Sequence, residues 1–310
     1  MDIFIRTLEF TVPVITTIFV GLFIAGLLSE LGILSSISSL ARPLVVIANL
    51  PEVCASSFVL SLGSTVAANG MIARFREDGL VEDREVFLCA MINSIPAYIR
   101  EIFTYQIPVV IPALGLAAGS IYGLIFMVTA LVKIVLVIIL GRTMFHARTY
   151  RLEEIQPKAR PALARAAWKA LRGQARIFTR MALVYFFVTL LVFAMNDRGL
   201  FGALSVLPMA DLFGVPSESI VPLASYVASP TLGLSMLGPM VHSGSLSSIQ
   251  ALIVLMVGSM FMLPVFALRS MVPNYTALFG PKLGLSVVAF STGVSILVRF
   301  IFLMVFLRIS

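Results

Sequence analysis

Long runs of apolar residues, uninterrupted by charged side chains, dominate this chain. A helix needs roughly 20 apolar residues to cross the hydrocarbon core of a bilayer. Five runs approach or reach that length, at 12–28, 121–140, 181–195, 249–268 and 285–307. The pattern predicts an all-α integral membrane protein. The first run stays in the product, because no basic region and small-residue cleavage site mark a signal peptide.

Composition agrees with the pattern. Hydrophobic residues make up 59% of the chain, charged residues only 12%, and the mean hydropathy is +1.04. A soluble domain has about 25% charged residues. We therefore expect a multi-pass protein of the cell (inner) membrane.

A set of landmarks occurs twice, about 169 residues apart. The first copy has Ala55-Ser56, Leu62-Gly63, Met71, Arg100 and Pro-Ala-Leu-Gly at 112–115. The second copy has Ala224-Ser225, Leu232-Gly233, Met240, Arg269 and Pro-Lys-Leu-Gly at 281–284. We interpret this as an internal duplication. Residues 1–141 form the first repeat, 142–180 a linker and 181–310 the second repeat.

Each repeat contains a segment that is too polar for an ordinary span, at 53–71 and at 223–241. Non-helical backbone at membrane depth survives only when it is buried in protein or lines a wet cavity. The two segments therefore predict broken helices or helical hairpins, where Gly63 and Gly233 allow close approach or a positive φ. With about five membrane segments each, an odd number, the repeats would have inverted topology.

The positive charge of the chain is concentrated in the linker. The net charge of the chain is +7, of which the linker at 142–180 contributes about +8 and the remainder about −1. By the positive-inside rule this linker faces the cytoplasm. Basic residues alternate with Ala, Leu and Trp168 over 161–176, which predicts an amphipathic helix on anionic lipid headgroups. Low aromatic content argues against nucleic acid as a partner.

Polar groups in the interrupted segments are candidate ligands of a solute. They are Ser56, Gly63, Ser64, Thr65 and Asn69 in the first repeat and Ser225, Gly233 and Ser235 in the second. Half-helix ends expose N–H and C=O groups, which together with hydroxyls can replace a solute's hydration. Helix packing explains any single serine equally well, but a cluster beside a glycine break favours a lining role.

Charged residues inside apolar stretches are the second group of candidates. Arg100 and Arg269 fall at matching points of the two copies, and each either binds solute or ends a span and snorkels to the headgroups. Lys133 lies in the middle of a span and should face the bundle interior. Arg299 lies nearer a terminus, where snorkelling is the simpler interpretation.

Other site chemistry has little support in the sequence. Cys54 and Cys89 lack Cys-x-x-Cys spacing and are interpreted as small buried hydrophobes. His146 and His242 have no ligand spacing, so we expect no metal site and no cofactor. No catalytic motif and no phosphate-binding loop is present, and an enzyme is not expected.

The stretch at 62–74, Leu-Gly-Ser-Thr-Val-Ala-Ala-Asn-Gly-Met-Ile-Ala-Arg, is similar to the Gly-Phe-Gly-Cys-Asn-Val-Pro type of pattern in the ferrous iron transporter B membrane domain. With two such halves, the chain resembles the nucleoside recognition (Gate) domain family, which includes parts of concentrative nucleoside transporters and the spore maturation proteins. The resemblance implies an inverted-repeat carrier with helical hairpins near the midplane. Ser64 stands where the iron transporters carry cysteine, which argues against ferrous iron as the solute.

Hydroxyls, two arginines and few membrane carboxylates suit a small polar or anionic solute better than a cation. We therefore expect a secondary transporter (permease) for an anionic or nucleoside-like metabolite, which works by alternating access. Two alternatives stay open: a non-transporting scaffold subunit of a membrane complex, and a translocase for lipid headgroups with a lipid-phosphate substrate. A homo-oligomer is compatible with each of them.

Overall fold

The computed structural model describes residues 3–30, 42–145, 163–197, 213 and 215–309. All regular structure in these ranges is helical, which confirms the all-α prediction. The linker residues at 146–162 lie outside the described residues. The amphipathic helix predicted over 161–176 corresponds to the start of a helix that begins at Leu163 and runs without interruption to Asp197.

The first half of the chain contains seven α-helices and a π-helix among the described residues. They are α1 (Ile3–Glu30), α2 (Arg42–Ile47), α3 (Val53–Ser61), α4 (Thr65–Glu77), α5 (Asp83–Ile92), α6 (Ile95–Glu101), the π-helix π1 (Ile102–Val110) and α7 (Ile111–Met144). The second half begins with the long helix α8 (Leu163–Asp197). It continues with a 3₁₀ turn (Ser217–Ser219), α9 (Ile220–Ala228), α10 (Pro230–His242), α11 (Ser248–Phe266), π2 (Ala267–Met271), α12 (Val272–Phe279) and α13 (Pro281–Ile309).

Four helical stretches of the described chain are long and apolar enough to cross a membrane. They are Asp83–Ile107, Ile111–Met144, Ser248–Phe279 and Pro281–Ile309. Three of the apolar runs predicted from sequence, 121–140, 249–268 and 285–307, fall within these stretches. The protein is thus an α-helical membrane protein.

The chain folds into two compact units, and each unit takes a segment from the opposite half of the sequence. Unit 1 comprises Met1–Ala97, Lys133–Phe193 and Met271–Val288. Unit 2 comprises Tyr98–Val132, Ala194–Ser270 and Ala289–Ser310. In unit 1, α4 packs against α1, α3, α5 and α12. In unit 2, α9 packs against α10 and α11 around a buried aliphatic core.

The backbone repeats itself with a constant separation of 165 residues from Ser64 to Gly119. The matching pairs include two extended residues before α4 and α10 (Ser64, Ser229), two turn glycines of positive φ (Gly79, Gly244), two capping boxes before α5 and α11 (Glu82, Ser247) and two glycines that break a helix (Gly115, Gly280). Helices π1 and π2 also begin 165 residues apart, at Ile102 and Ala267. The duplication is therefore visible in local geometry.

The register of about 169 residues predicted from sequence is wrong for this part of the chain. The two Pro-x-Leu-Gly stretches match in letters, but Gly115 has a φ of 79° whereas Gly284 lies inside helix α13. The structural partner of Gly115 is Gly280, with a φ of 85° and a ψ of 163° against 166° at Gly115. Because only glycine adopts this backbone conformation readily, the broken helix identifies the true repeat.

Cys54 and Cys89 correct a second expectation. Both side chains are fully buried, as predicted, but the two cysteines are joined in a disulfide that links α3 to α5. Their spacing of 35 residues in sequence has no motif, because the hairpin geometry of unit 1 brings α3 beside α5.

Candidate functional site

The helix pair of unit 1 is interrupted at three residues, Leu62, Gly63 and Ser64. Ser64 has extended backbone, with φ −151° and ψ 112°, and its Oγ accepts a hydrogen bond of 3.2 Å from the N–H of Ala67. Serine at this position satisfies one of the four free N–H groups that begin a helix. The start of α4 retains the other N–H groups and the positive end of the helix dipole.

Unit 2 has the same interruption with different chemistry. Ser229 has nearly identical backbone, with φ −153° and ψ 109°, but no side-chain cap joins it to the described residues of α10. Pro230 follows as the first residue of α10, where its missing N–H costs nothing and its fixed φ suits the helix start. The second hairpin therefore depends on proline where the first depends on a serine cap.

Ser64→Ala is predicted to lower the free energy of unfolding by about 1 kcal/mol, because it removes the N-cap hydrogen bond to Ala67. Ser229→Ala is the matched control and should change stability by less than about 0.5 kcal/mol, because no cap bond is lost there. Denaturant titration of both variants in one detergent measures the difference. Equal losses would contradict the assigned cap.

A trio of buried amide and hydroxyl groups lies behind the first hairpin. Asn93 donates from Nδ2 to Oδ1 of Asn69 at 3.1 Å, and its own Oδ1 accepts from the hydroxyl of Ser57 at 3.1 Å. All three side chains are almost completely buried. At the positions 165 residues after Asn69 and Asn93, unit 2 has Leu234 and Gly258, which carry no such groups. The polar trio is thus particular to unit 1.

Unit 2 buries a different polar group, the guanidinium of Arg299 on α13. Arg299 is 2% exposed, and its Nη1 donates to the carbonyl of Ser295 at 3.0 Å. Its Cζ lies 5.1 Å from the ring centroid of Phe126. The hydroxyls of Tyr98 and Ser295 are 3.0 Å apart. An arginine inside a membrane helix is costly and marks a functional site by default.

Aromatic rings pack against one another near Arg299 in unit 2. Phe126 contacts Tyr122 at a centroid distance of 5.3 Å and Tyr98 at 6.1 Å. The hydroxyls of Tyr122 and Tyr226 form a buried hydrogen bond of 2.6 Å. Tyr226 belongs to α9, so this bond joins the second hairpin to α7.

The structure divides the site residues predicted from sequence between the two units. Ser56, Ser64 and Thr65 are partly exposed in unit 1, and Asn69 is buried in the trio. Gly63 is exposed, and a Cβ at this position would meet only the carbonyl oxygen of Leu60, at 3.7 Å.

In unit 2, Ser225 is partly exposed, and the side chain of Ser235 lies outside the described part of the chain. Gly233 is buried against the backbone of Tyr226, so close approach explains this glycine.

Arg100 and Arg269 are exposed, which favours the snorkelling alternative for both. They also do not match in the structural register, since Arg100 lies in α6 before π1 and Arg269 lies within π2. Lys133 is buried as predicted, with 2% of its side chain exposed. The expectation that Arg299 snorkels is wrong, because helix α13 turns this side chain inward.

Sequence reasoning missed Arg299, Ser57 and Asn93 as site residues. A signal for Arg299 is present in the chain: Ser291, Ser295 and Arg299 recur every four residues and so share one face of α13. No comparable signal joins Ser57 to Asn93, which lie on different helices. Among the described residues, no group of three His, Cys, Asp or Glu could hold a metal ion.

These features define the class: an α-helical membrane protein with a duplicated helix break and polar groups buried in both units. No protein-family model matches the chain, and no solved structure matches it at a significant level. The chain is similar to the uncharacterized proteins MJ0880 and MJ0871 of Methanocaldococcus jannaschii. MJ0880 is 23% identical over 92% of this chain and 93% of its own length. MJ0871 is 25% identical over 94% of this chain and 90% of its own length.

Proposed function

We propose that this protein is a secondary transporter (permease) for a small polar solute, anionic or nucleoside-like, which it moves by alternating access between two inverted repeats. The observation that carries the proposal is the helix interruption built twice, at Ser64 and Ser229, with the same backbone angles. Paired interrupted helices in two repeats are typical of carriers whose solute binds at half-helix ends.

The polar groups beside the interruptions support a solute site. Ser56, Ser64 and Ser225 are partly exposed, so their hydroxyls can exchange water for solute, whereas Oγ1 of Thr65 is buried. The trio of Ser57, Asn69 and Asn93 satisfies itself and holds the first hairpin in shape. In this proposal Arg100 and Arg269, which are exposed, attract an anion before it binds.

The orientation in the cell membrane belongs to the same proposal. Helix α8 begins with the basic residues of the linker, and Leu163 and Trp168 are 64% and 65% exposed. Exposed apolar residues between basic ones suit the cytoplasmic interface with anionic headgroups. We therefore assign the linker to the cytoplasmic side.

Ligand-induced thermal stabilisation of the purified protein tests the proposal. The panel contains nucleosides, organic anions, short-chain lipid phosphates and divalent cations, because a ligand that binds the native state raises the melting temperature by mass action. Each solute that gives a shift is then tested for counterflow in proteoliposomes. We expect at least one nucleoside or organic anion to give both signals.

Two other outcomes would replace the proposal. A shift with lipid phosphates alone, together with scrambling of a labelled lipid in the same vesicles, would favour the headgroup translocase. No shift and no counterflow with any solute would favour the scaffold subunit, in which hairpin substitutions leave function intact.

A further inference from the structure

Arg299 is one of the largest side chains that the described part of the chain buries almost completely. It lies within Pro281–Ile309, one of the stretches long enough to cross a membrane. Transfer of an arginine from water into such an environment is expensive unless an opposite charge accompanies it. The chain therefore needs a partner for Arg299, or a ligand that supplies one.

The direct contacts of the guanidinium within the described chain are with neutral groups. Nη1 donates to the carbonyl of Ser295, one turn earlier in the same helix, and the face of the group lies over Phe126. Both contacts orient the guanidinium without neutralising it. Nε is buried and has no hydrogen-bond partner among the described residues. The Nε side of a guanidinium is one of the edges that a carboxylate can bind with two parallel hydrogen bonds.

One acidic group acts on Arg299 from within the described chain. Glu101, at the end of α6, is half-buried and interacts electrostatically with Arg299 and, more weakly, with Arg100. When its carboxylate is ionised, Glu101 therefore offsets part of the buried charge of Arg299. A solute that carries one negative charge can replace Glu101 as the partner of Arg299. A dianion would be repelled by the carboxylate of Glu101.

The side chains that pack beside Arg299 are aromatic. Phe126 lies against the guanidinium, and Tyr98 and Tyr122 contact the ring of Phe126. Tyr98 also places its hydroxyl 3.0 Å from that of Ser295. Aromatic neighbours of this kind favour a ligand with an apolar or planar body attached to its charged group.

We propose that Arg299 is the anion-binding residue of the transporter, and that it takes the carboxylate of a small organic monoacid with a planar or apolar body. This inference rests on the proposed function and names its solute class. Glu101 is the internal counter-ion that the carboxylate displaces. Arg299, rather than the two exposed arginines, selects for negative charge.

The test uses the full-length purified protein and benzoate as the probe, with benzamide as the uncharged analogue. Binding is followed by thermal stabilisation and by intrinsic fluorescence, with succinate and inorganic phosphate as dianionic comparisons. We expect benzoate to stabilise the protein and the other three to have at least tenfold weaker effects. Equal stabilisation by benzamide, or none by benzoate at about 50 mM, would overturn the inference.

Three variants identify the residue. Arg299→Gln should weaken benzoate binding at least tenfold, while Arg308→Gln, an exposed arginine of the same helix, should leave it unchanged. Glu101→Gln should strengthen it several-fold because the competing charge is gone, and this variant is informative even if Arg299→Gln does not fold. Unchanged affinity in Glu101→Gln, or in a folded Arg299→Gln protein, would contradict the assignment.

The outcome separates the two proposals. If nucleosides or other solutes bind and exchange while carboxylates do not, the transporter stands and the role of Arg299 falls. If benzoate binds through Arg299 but no solute crosses the vesicle membrane, the anion site stands and the transporter falls.

Discussion

Replacing Asn93 with leucine is expected to lower the free energy of unfolding by about 1 to 3 kcal/mol. Leucine has a similar volume, so the loss comes from hydrogen bonding rather than from a cavity. Asn93 joins Ser57 to Asn69, and its removal leaves Oδ1 of Asn69 unpaired in a fully buried place, whereas the Ser57 hydroxyl keeps its hydrogen bond of 2.9 Å to the carbonyl of Cys54. Denaturant titration of the purified protein in detergent, followed by circular dichroism, measures the change.

A double-mutant cycle provides the control for this prediction. Asn69→Leu removes the stranded amide oxygen in advance, so the double variant should lose clearly less than the sum of the single losses. Additive losses would show that the two asparagines act independently. A loss below about 0.5 kcal/mol for Asn93→Leu alone would contradict the trio as a stabilising network.

Gly284→Ala is the second change with a large expected effect, a loss of about 2 to 4 kcal/mol in the free energy of unfolding. Gly284 lies on α13 just after the break at Gly280, where the chain folds back on α12. A Cβ at Gly284 would lie 2.5 Å from the carbonyl oxygen of Tyr275 and 2.7 Å from the nitrogen of Thr276. Both are backbone atoms, so no side-chain rotation can relieve the contact.

Gly293→Ala on the same helix is the matched control. A Cβ there meets nothing within 4 Å, and alanine is the better helix former by about 1 kcal/mol, so stability should be unchanged or raised. Gly119→Ala tests the repeat, because its Cβ would lie 2.6 Å from Cα of Ile111 and should cost as much as Gly284→Ala. Melting temperatures near that of the native protein for both Gly284→Ala and Gly119→Ala would contradict the close packing at the two breaks.

The features that could be predicted from sequence are those that depend on local pattern. Apolar runs of sufficient length identify the helices of α7, α11 and α13 because hydrocarbon accepts little else. Serine- and glycine-rich stretches identify both interrupted helices for the same reason. The repeat is recognisable in the sequence, but its register depends on backbone angles at Gly115 and Gly280, and matching letters at Pro-x-Leu-Gly give a separation four residues too long.

The features that could not be predicted from sequence depend on which side chains of different helices face one another. Ser57, Asn69 and Asn93 lie on three helices or their ends, and no spacing in the chain says that these groups meet. Arg299 is a similar case. Its burial depends on the face of α13 that it shares with Ser291 and Ser295, and its distance from the C-terminus does not predict it. The disulfide of Cys54 and Cys89 likewise follows from the packing of α3 beside α5.

Unit 1 includes the segment Met271–Val288 from the second half of the chain, and this affects the order in which unit 1 is completed during biosynthesis. Helix α12 packs against α4, and Arg76 donates from Nη1 to the carbonyl of Phe279 at 2.9 Å. Translation proceeds from the N-terminus at about 5 to 20 residues per second. The surface of α4 that α12 covers therefore stays exposed for roughly 5 to 20 s after residue 193 has been added. Unit 1 is therefore incomplete while the second half is being translated, and a chain that ended before Met271 would present this uncovered surface to membrane chaperones and proteases.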